Sequence, residues 1–462
     1  MIYVDTRDAT HTVNFRTACL EGMNAETGGL YVPLEYPRLP ERIINRATQP
    51  SFRDMALSTA KLFIDDEIPA IDLDHIIADA YPFDAPTVPL DPVTYVLELF
   101  HGPTCAFKDF GARFMARAMA YFNKDEAKKL HILVATSGDT GSAVASAFHH
   151  VEGIDVTVLY PAGKISALQE KQLSTFDDNI FALKVDGTFD DCQKLVKTVF
   201  TDDALRKKLR FSSANSINIS RLLPQTFYYI HSALTVRSRA QWDSHIENAD
   251  IIMSVPSGNF GNLTSGLIAQ KMGAPITGFI AATNANKTVP DWLVNGKYKS
   301  RASVQTLSNA MDVGAPSNYE RMCSMYSLDE MRRLVAGYWL SDEGTLKAIK
   351  KCHTNTGYII DPHGAIAWQA WHDMIDSRGG EKNTERLVFD KCPWVNHVRD
   401  RKAVGVVLET AHNSKFGETV KEACGKEVIL PSRLERVLRL SDRSVALKND
   451  YGAFKDWILS TR

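Results

Sequence analysis

The chain has 462 residues, 44 % of them apolar and 23 % charged, with a formal net charge of −2. Those values fit an ordinary soluble globular protein of about two to four domains. They argue against a nucleic-acid-wrapping surface, and no apolar run reaches membrane-spanning length.

The N-terminus carries no basic stretch followed by an apolar core, so no signal peptide is expected. Residues 1 to about 85 hold few strand signals. Gly28-Gly29-Leu30-Tyr31-Val32-Pro33 reads as a glycine turn leading into an extended piece, and Phe52–Phe63 and Ile71–Tyr81 read as short amphipathic helices. Pro82–Pro92, which also contains Pro86 and Pro89, is the expected linker. The seven cysteines are scattered without a Cys-x-x-Cys or a zinc spacing, which fits a reducing compartment and no structural metal.

From Val93 the pattern becomes short apolar runs ending in loops that open helices. The expected strands are Tyr95–Phe100, His131–Thr136, Asp155–Tyr160, Ile180–Val185, Arg210–Ser212, Ile251–Val255, Ile276–Ala282 and Val404–Leu408. Strands alternating with helices predict an α/β fold with mainly parallel sheets covered on both faces. Ligands in such folds sit at the carboxyl ends of the strands. His149-His150, at the end of an expected helix, reads as a helix end near solvent and not as a ligand pair.

One loop dominates the chemistry. Leu99-Phe100-His101-Gly102-Pro103-Thr104-Cys105-Ala106-Phe107-Lys108-Asp109 places one lysine between aromatic residues. Phe110, Phe114, Ala118 and Phe122 recur four apart, so a helix is expected to start near Asp109. The helix dipole and an apolar setting both disfavour an ammonium at Lys108, and a free amine is what Schiff-base chemistry requires. Ser257-Gly258-Asn259-Phe260-Gly261-Asn262-Leu263-Thr264 follows a strand and opens a helix to about Lys271, so its N–H groups suit an anion. It is neither a P-loop nor a dinucleotide fingerprint. Ser137-Gly138-Asp139-Thr140-Gly141-Ser142 is a second polar helix start, suited to a carboxylate or a phosphate, or simply well capped. Lys164 with Ser166, and Asn215, Ser216, Asn218 and Arg221, are weaker cationic or neutral donor clusters. Glu409-Thr410-Ala411-His412 puts a hydroxyl at a strand end, and Asp361-Pro362-His363-Gly364-Ala365 starts a helix with a histidine of structural type.

Taken together, these loops resemble the threonine synthase family, in its microbial and fungal branch. The lysine loop is similar to the family's cofactor-lysine signature. The Ser137, Gly258 and Asp361 loops and Thr306-Leu307-Ser308-Asn309-Ala310-Met311-Asp312-Val313-Gly314 resemble further motifs in the same order. Asp5-Thr6-Arg7-Asp8 and Asn413-Ser414 depart from the family pattern without touching those motifs.

The resemblance implies a tryptophan-synthase-β-like fold (pyridoxal-phosphate fold type II) with a small, mostly helical N-terminal domain. It implies domains at residues 1–90, 91–230 and 231–462, the last the large cofactor-binding domain. Lys108 would hold pyridoxal 5′-phosphate as a Schiff base and act as the catalytic base. Gly258, Asn259, Phe260, Gly261 and Asn262 would bind the cofactor phosphate, Thr410 the pyridine nitrogen, and Asp139 would lie near the phenolic oxygen. Ser137, Gly138, Thr140 and Ser142 would take the substrate carboxylate, and Arg113, Lys164, Ser166, Asn218 and Arg221 the substrate phosphate. The implied reaction is a carbon–oxygen lyase step turning O-phospho-L-homoserine and water into L-threonine and phosphate. The alternatives are a phospho-lyase giving 2-oxobutyrate and an inactive ligand-binding homologue. A cytoplasmic monomer or homodimer without nucleic-acid or membrane partners, and without a metal, completes the expectation.

Overall fold

Runs of Val, Ile and Leu suit a pleated surface buried on both faces, and here they become the strands of two mainly parallel sheets. The computed structural model describes residues 1–44, 50–240, 248–376, 387–388, 391–400 and 402–461. In the seven-stranded sheet Gly278–Thr283, Asp250–Pro256, Ala403–Glu409 and Thr94–Glu98 lie side by side and parallel. Val335–Trp339 extends it in parallel, and Leu387–Val388 and Thr87–Asp91 close the two edges antiparallel. The smaller sheet has five parallel strands in the order Val445–Lys448, Ile180–Asp186, Ile154–Pro161, Leu130–Ala135 and Arg210–Ser213.

Sheet membership cuts across chain order. Thr94–Glu98 belongs to the seven-stranded sheet, and Val445–Lys448 joins the five-stranded one from the far end of the chain. The expected linker is not a linker, since Thr87–Asp91 within it is a strand. Pro89 is tolerated there because the strand lies at a sheet edge, where a missing N–H breaks no ladder. The N-terminal part carries the expected helices, as Phe52–Ile64 and Ala70–Ala80. It also carries a three-stranded antiparallel sheet of Thr12–Val13, Tyr3–Asp5 and Tyr31–Pro33.

The helices follow their apolar periods. In Lys108–Asn123 the four-apart set Phe110, Phe114, Ala118 and Phe122 is buried, as expected. Trp368 and Trp371 of Pro362–Asp376 are fully buried against the larger sheet. Gly405 makes that contact feasible, because a Cβ there would stand 2.3 Å from the Trp371 ring. The carboxyl ends of strands from both sheets deliver Thr136, Pro256 and Thr410 to one cavity of about 670 Å³.

Candidate active site

Lys108 begins its helix and lines this cavity. No side chain caps the helix N-terminus. Instead, the first-turn Asp109 reaches back and accepts from Thr104 N and Thr104 Oγ1, both at 2.8 Å. Gly102 is required by that fold-back, because a Cβ there would meet Asp109 Oδ2 at 2.4 Å. Cys105 holds the turn in the left-handed region at φ 57°, a conformation costly for a residue with a side chain. The loop is then stapled to the end of Ala403–Glu409. Phe107 N donates to Thr410 O at 2.8 Å, and His412 N donates to Cys105 O at 3.0 Å. Lys108 and Thr410 are thereby fixed relative to each other.

Electrostatics around Lys108 favour a reactive amine. Burial draws its ammonium down to about 8, with Asp139 pulling it up and Arg221 and Lys415 pushing it further down. Asp139 sits in the first turn of Asp139–Phe148. Burial alone would raise its carboxyl, but the ammonium of Lys415, 2.7 Å away, and that of Lys108 hold it well below the usual range. Lys415 also donates to Thr104 O at 3.1 Å, and Gln169 Nε2 donates to Asp139 Oδ1 at 3.2 Å. Lys415 and Gln169 carry no signal in the sequence. A lysine in Asn-Ser-Lys-Phe-Gly reads as a solvated turn, yet its side chain is wholly buried.

The Gly258–Asn262 loop opens Gly261–Lys271, with Phe260 left-handed at φ 59°. Gly258 packs so closely on the neighbouring loop that a Cβ would stand 2.6 Å from Met311 Cα. Asn262 Oδ1 accepts from the hydroxyls of Tyr228 and Tyr229 at 2.7 and 2.8 Å, while its buried Nδ2 has no partner among the described residues. Asn259 is braced by Ser216 Oγ and by Ser317 N. The loop is a rigid, donor-rich pocket floor, fit for an anion.

Behind the strand end, Glu409 and Asp361 meet. Asp361 N donates to Glu409 Oε1 at 2.7 Å, and a Cβ on Gly364 would lie 1.7 Å from Glu409 Oε2. Burial and the neighbouring Asp361 push the Glu409 carboxyl well above its ordinary range, so it stays protonated. Asp361 Oδ1 lies 2.6 Å from His363 Nδ1, and Ala310 N donates to His363 Nε2 at 3.3 Å. This network assigns the proton to Nδ1 and ties the cavity wall at Ala310 to the strand end.

The raised Glu409 carboxyl has a measurable consequence. The unfolded chain releases the Glu409 proton above about pH 4.3, while the folded chain keeps it. Stability therefore falls with rising pH from there toward the folded value. Glu409→Gln removes that dependence. The variant is expected to gain stability over wild type as pH rises from about 4 to 8, read from urea midpoints. A stability difference independent of pH would contradict the assignment.

The structure brings only part of the expected substrate set to the cavity. Ser137, Thr140 and Arg221 line it, with Lys108, Gly258–Asn262 and Thr410. Asn215 and Ser216, the weaker cluster, line it too. Gly138 and Ser142 do not, for Gly138 is covered by Gln169 and Ser142 Oγ donates to Asp139 O inside its helix. Arg113 points elsewhere and caps Ala70–Ala80 through Ala80 O at 2.7 Å and Asp79 O at 2.5 Å. Asn218 is a buried cap that donates to Cys19 O and accepts from Ser220 N. Ser166 forms a capping box with Gln169, and Lys164 is exposed outside the cavity. Their polarity is accounted for by helix caps and solvent. His149 and His150 gather with Asp177 outside the cavity, His149 3.0 Å from Asp177 and His150 3.1 Å from Asp178.

Comparison with known proteins agrees with this geometry. Residues 83–389 match the family described as "Pyridoxal-phosphate dependent enzyme", residues 2–81 "Threonine synthase N terminus", and residues 394–458 "Threonine synthase, C-terminal". The chain is 39 % identical over 454 residues to the threonine synthase of Haemophilus influenzae, covering 97 % of each. The crystal structure of threonine synthase from Escherichia coli matches with a TM-score of 0.86 at 37 % identity, over 100 % of both chains. The PLP-bound threonine synthase from Brucella melitensis matches with a TM-score of 0.85 at 32 % identity, over 99 % of this chain and 98 % of that one. The chain belongs to the threonine synthase family of pyridoxal-phosphate dependent enzymes.

Proposed function

We propose that this protein is a threonine synthase, converting O-phospho-L-homoserine and water into L-threonine and phosphate. The observation that carries the reading is the end-to-end likeness to proteins of that name, with Lys108 at a cavity floor beside a donor-rich loop. The residues present fit pyridoxal 5′-phosphate. The Gly258 loop offers backbone donors to a phosphate, the partnerless Nδ2 of Asn262 supplies one more buried donor, and Lys108 offers a free amine.

When bound, the cofactor supplies an electron sink for charge developing at the substrate's α-carbon. Lys108 would hold it covalently through its amine, and as a free amine Lys108 would take the Cα proton. Its depressed affinity for protons suits a group that must accept and return them near neutral pH. A second proton leaves Cβ as the Cγ–oxygen bond breaks and phosphate departs, and a proton then returns to Cγ. Water oxygen then bonds to Cβ, its proton leaving with the phosphate, and Lys108 returns the proton to Cα. Ser137 and Thr140, at the mouth of Asp139–Phe148, orient the substrate carboxylate. Thr410, fixed to the lysine loop, would offer the cofactor ring nitrogen a neutral hydroxyl. Asp139, locked as an anion by Lys415, steers the Lys108 amine.

Among the described residues no helix is long and apolar enough to cross a membrane. The reading puts the enzyme in the cytoplasm, in keeping with seven cysteines none of which forms a disulfide. The test follows phosphate, threonine and 2-oxobutyrate together in one reaction. Threonine equal to phosphate is expected, and phosphate with 2-oxobutyrate alone would replace the reading with a phospho-lyase.

A further inference from the structure

Outside the cavity, two turns bring histidine and aspartate side chains together. Consecutive residues of a helix point about 100° apart, so neighbouring histidines within one do not share an ion. The helix Asp139–Phe148 ends before that constraint applies. His149 has already left the helix, with ψ 128°, and His150 is left-handed at φ 61°. The reversal folds the second ring back over the first, with 3.6 Å between ring centres. Facing them is the turn before Ile180–Asp186, where Asp178 is left-handed at φ 57°.

One buried side chain locks both turns. Asn179 Oδ1 accepts from His150 N at 2.9 Å, and Asn179 Nδ2 donates to Phe148 O and Ile154 O, both at 2.8 Å. His149 packs edge-on against Phe176, with 5.1 Å between ring centres. One nitrogen of each histidine and one Asp177 oxygen lie within 4.8 Å of one another. His149 Nε2 is 3.0 Å from Asp177 Oδ1. Ligand atoms around a tetrahedral zinc ion stand about 3.3 Å apart, so side-chain rotations of about 1–2 Å complete the site. Asp178 Oδ2, 3.1 Å from His150 Nδ1, holds the proton there and leaves the other ring nitrogen free to bind. Arg443 approaches the second Asp177 oxygen, at 3.5 Å, and leaves Oδ1 to an ion. Two imidazoles with a carboxylate suit zinc, copper or nickel, whereas magnesium and calcium take oxygen ligands.

We propose that His149, His150 and Asp177 form a binding site for a divalent transition-metal ion of the zinc class, with water completing the coordination. The site stands apart from the reaction cavity but shares its scaffold. The helix that leads to His149 begins at Asp139. The helix before Asp177, Ala167–Ser174, carries Gln169, which donates to Asp139 Oδ1 at 3.2 Å. A bound ion ties the far ends of these two helices together and so stabilises the folded chain.

The probe is zinc alone, titrated calorimetrically into holoenzyme previously stripped of metal by a chelator. The wild type is expected to bind one tight equivalent, and His150→Asn and Asp177→Asn should each weaken it at least about tenfold. Asparagine visits the left-handed region readily, so His150→Asn should keep the wild-type thermal midpoint in the absence of metal. Zinc should raise the midpoint of the wild type and leave that of His150→Asn unmoved. Copper(II) reads the ligands directly. Its electron paramagnetic resonance spectrum should show coupling to two imidazole nitrogens in the wild type and to one in His150→Asn. Equal zinc affinity in wild type and His150→Asn, a copper spectrum unchanged by the substitution, or a wild type that takes up no zinc overturns the proposal. None of these readouts uses catalysis, so the outcome is independent of the proposed reaction.

Discussion

Lys108→Ala is expected to lower threonine formation by about 10⁴-fold or more, because the residue serves at once as cofactor anchor and as base. The fold should survive the change. The loop is held by Asp109 on Thr104 and by the backbone bonds to Thr410 and Cys105, none of which uses the lysine side chain. Removing the amine also removes a buried ammonium's desolvation cost, so stability should hold or rise. The variant should still take up cofactor non-covalently, since the Gly258 loop is intact, but sodium borohydride should no longer fix the cofactor to the chain. A small exogenous amine should restore part of the proton transfer. Sustained threonine formation by Lys108→Ala without added amine would show that another group does this work.

Lys415→Ala is expected to destabilise the protein by about 3–5 kcal/mol at neutral pH, the cost of leaving a buried carboxylate without its partner. Asp139 is the carboxylate concerned, and Thr104 O loses a donor as well. The pH dependence has a definite sign. The Asp139 carboxyl is held below its unfolded value, so the pair's contribution is complete above about pH 4 and is lost as pH falls through the folded value. The urea midpoints of wild type and variant should therefore differ most at neutral pH and converge in acid. Replacing both partners, Lys415→Met with Asp139→Asn, should recover much of the loss, because neither buried charge then remains. A Lys415→Ala midpoint equal to wild type at neutral pH would mean that the ammonium is not required by Asp139.

The parts of the fold that could be read from the chain are those written in local sequence. The apolar runs at His131–Thr136, Asp155–Tyr160 and Ile251–Val255 give strands because burial on both faces demands continuous apolar side chains. The lysine loop and the Gly258 loop were legible because a helix start and its preceding turn are local events. Thr87–Asp91 was hidden by four prolines in the eleven residues 82–92, which mark a linker unless the strand lies at a sheet edge. Val335–Trp339 was hidden by its interior Gly337 and by following Leu328–Leu334 without a break.

Site residues were missed or misread for a different reason. Asp139 with Lys415, and Glu409 with Asp361, are pairs distant in the chain, and only the folded sheets bring them together. Arg113, Ser166 and Asn218 have the right chemistry for a phosphate, but each is committed to a helix end nearby.

The measurement that tests the central claim most directly is the reaction in water enriched in oxygen-18, with both products analysed by mass spectrometry. Elimination at Cγ followed by water addition at Cβ breaks the carbon–oxygen bond. One heavy oxygen should then appear in the hydroxyl of threonine and none in the phosphate. Heavy oxygen in the phosphate, with homoserine as the organic product, would mean hydrolysis at phosphorus and would contradict the account.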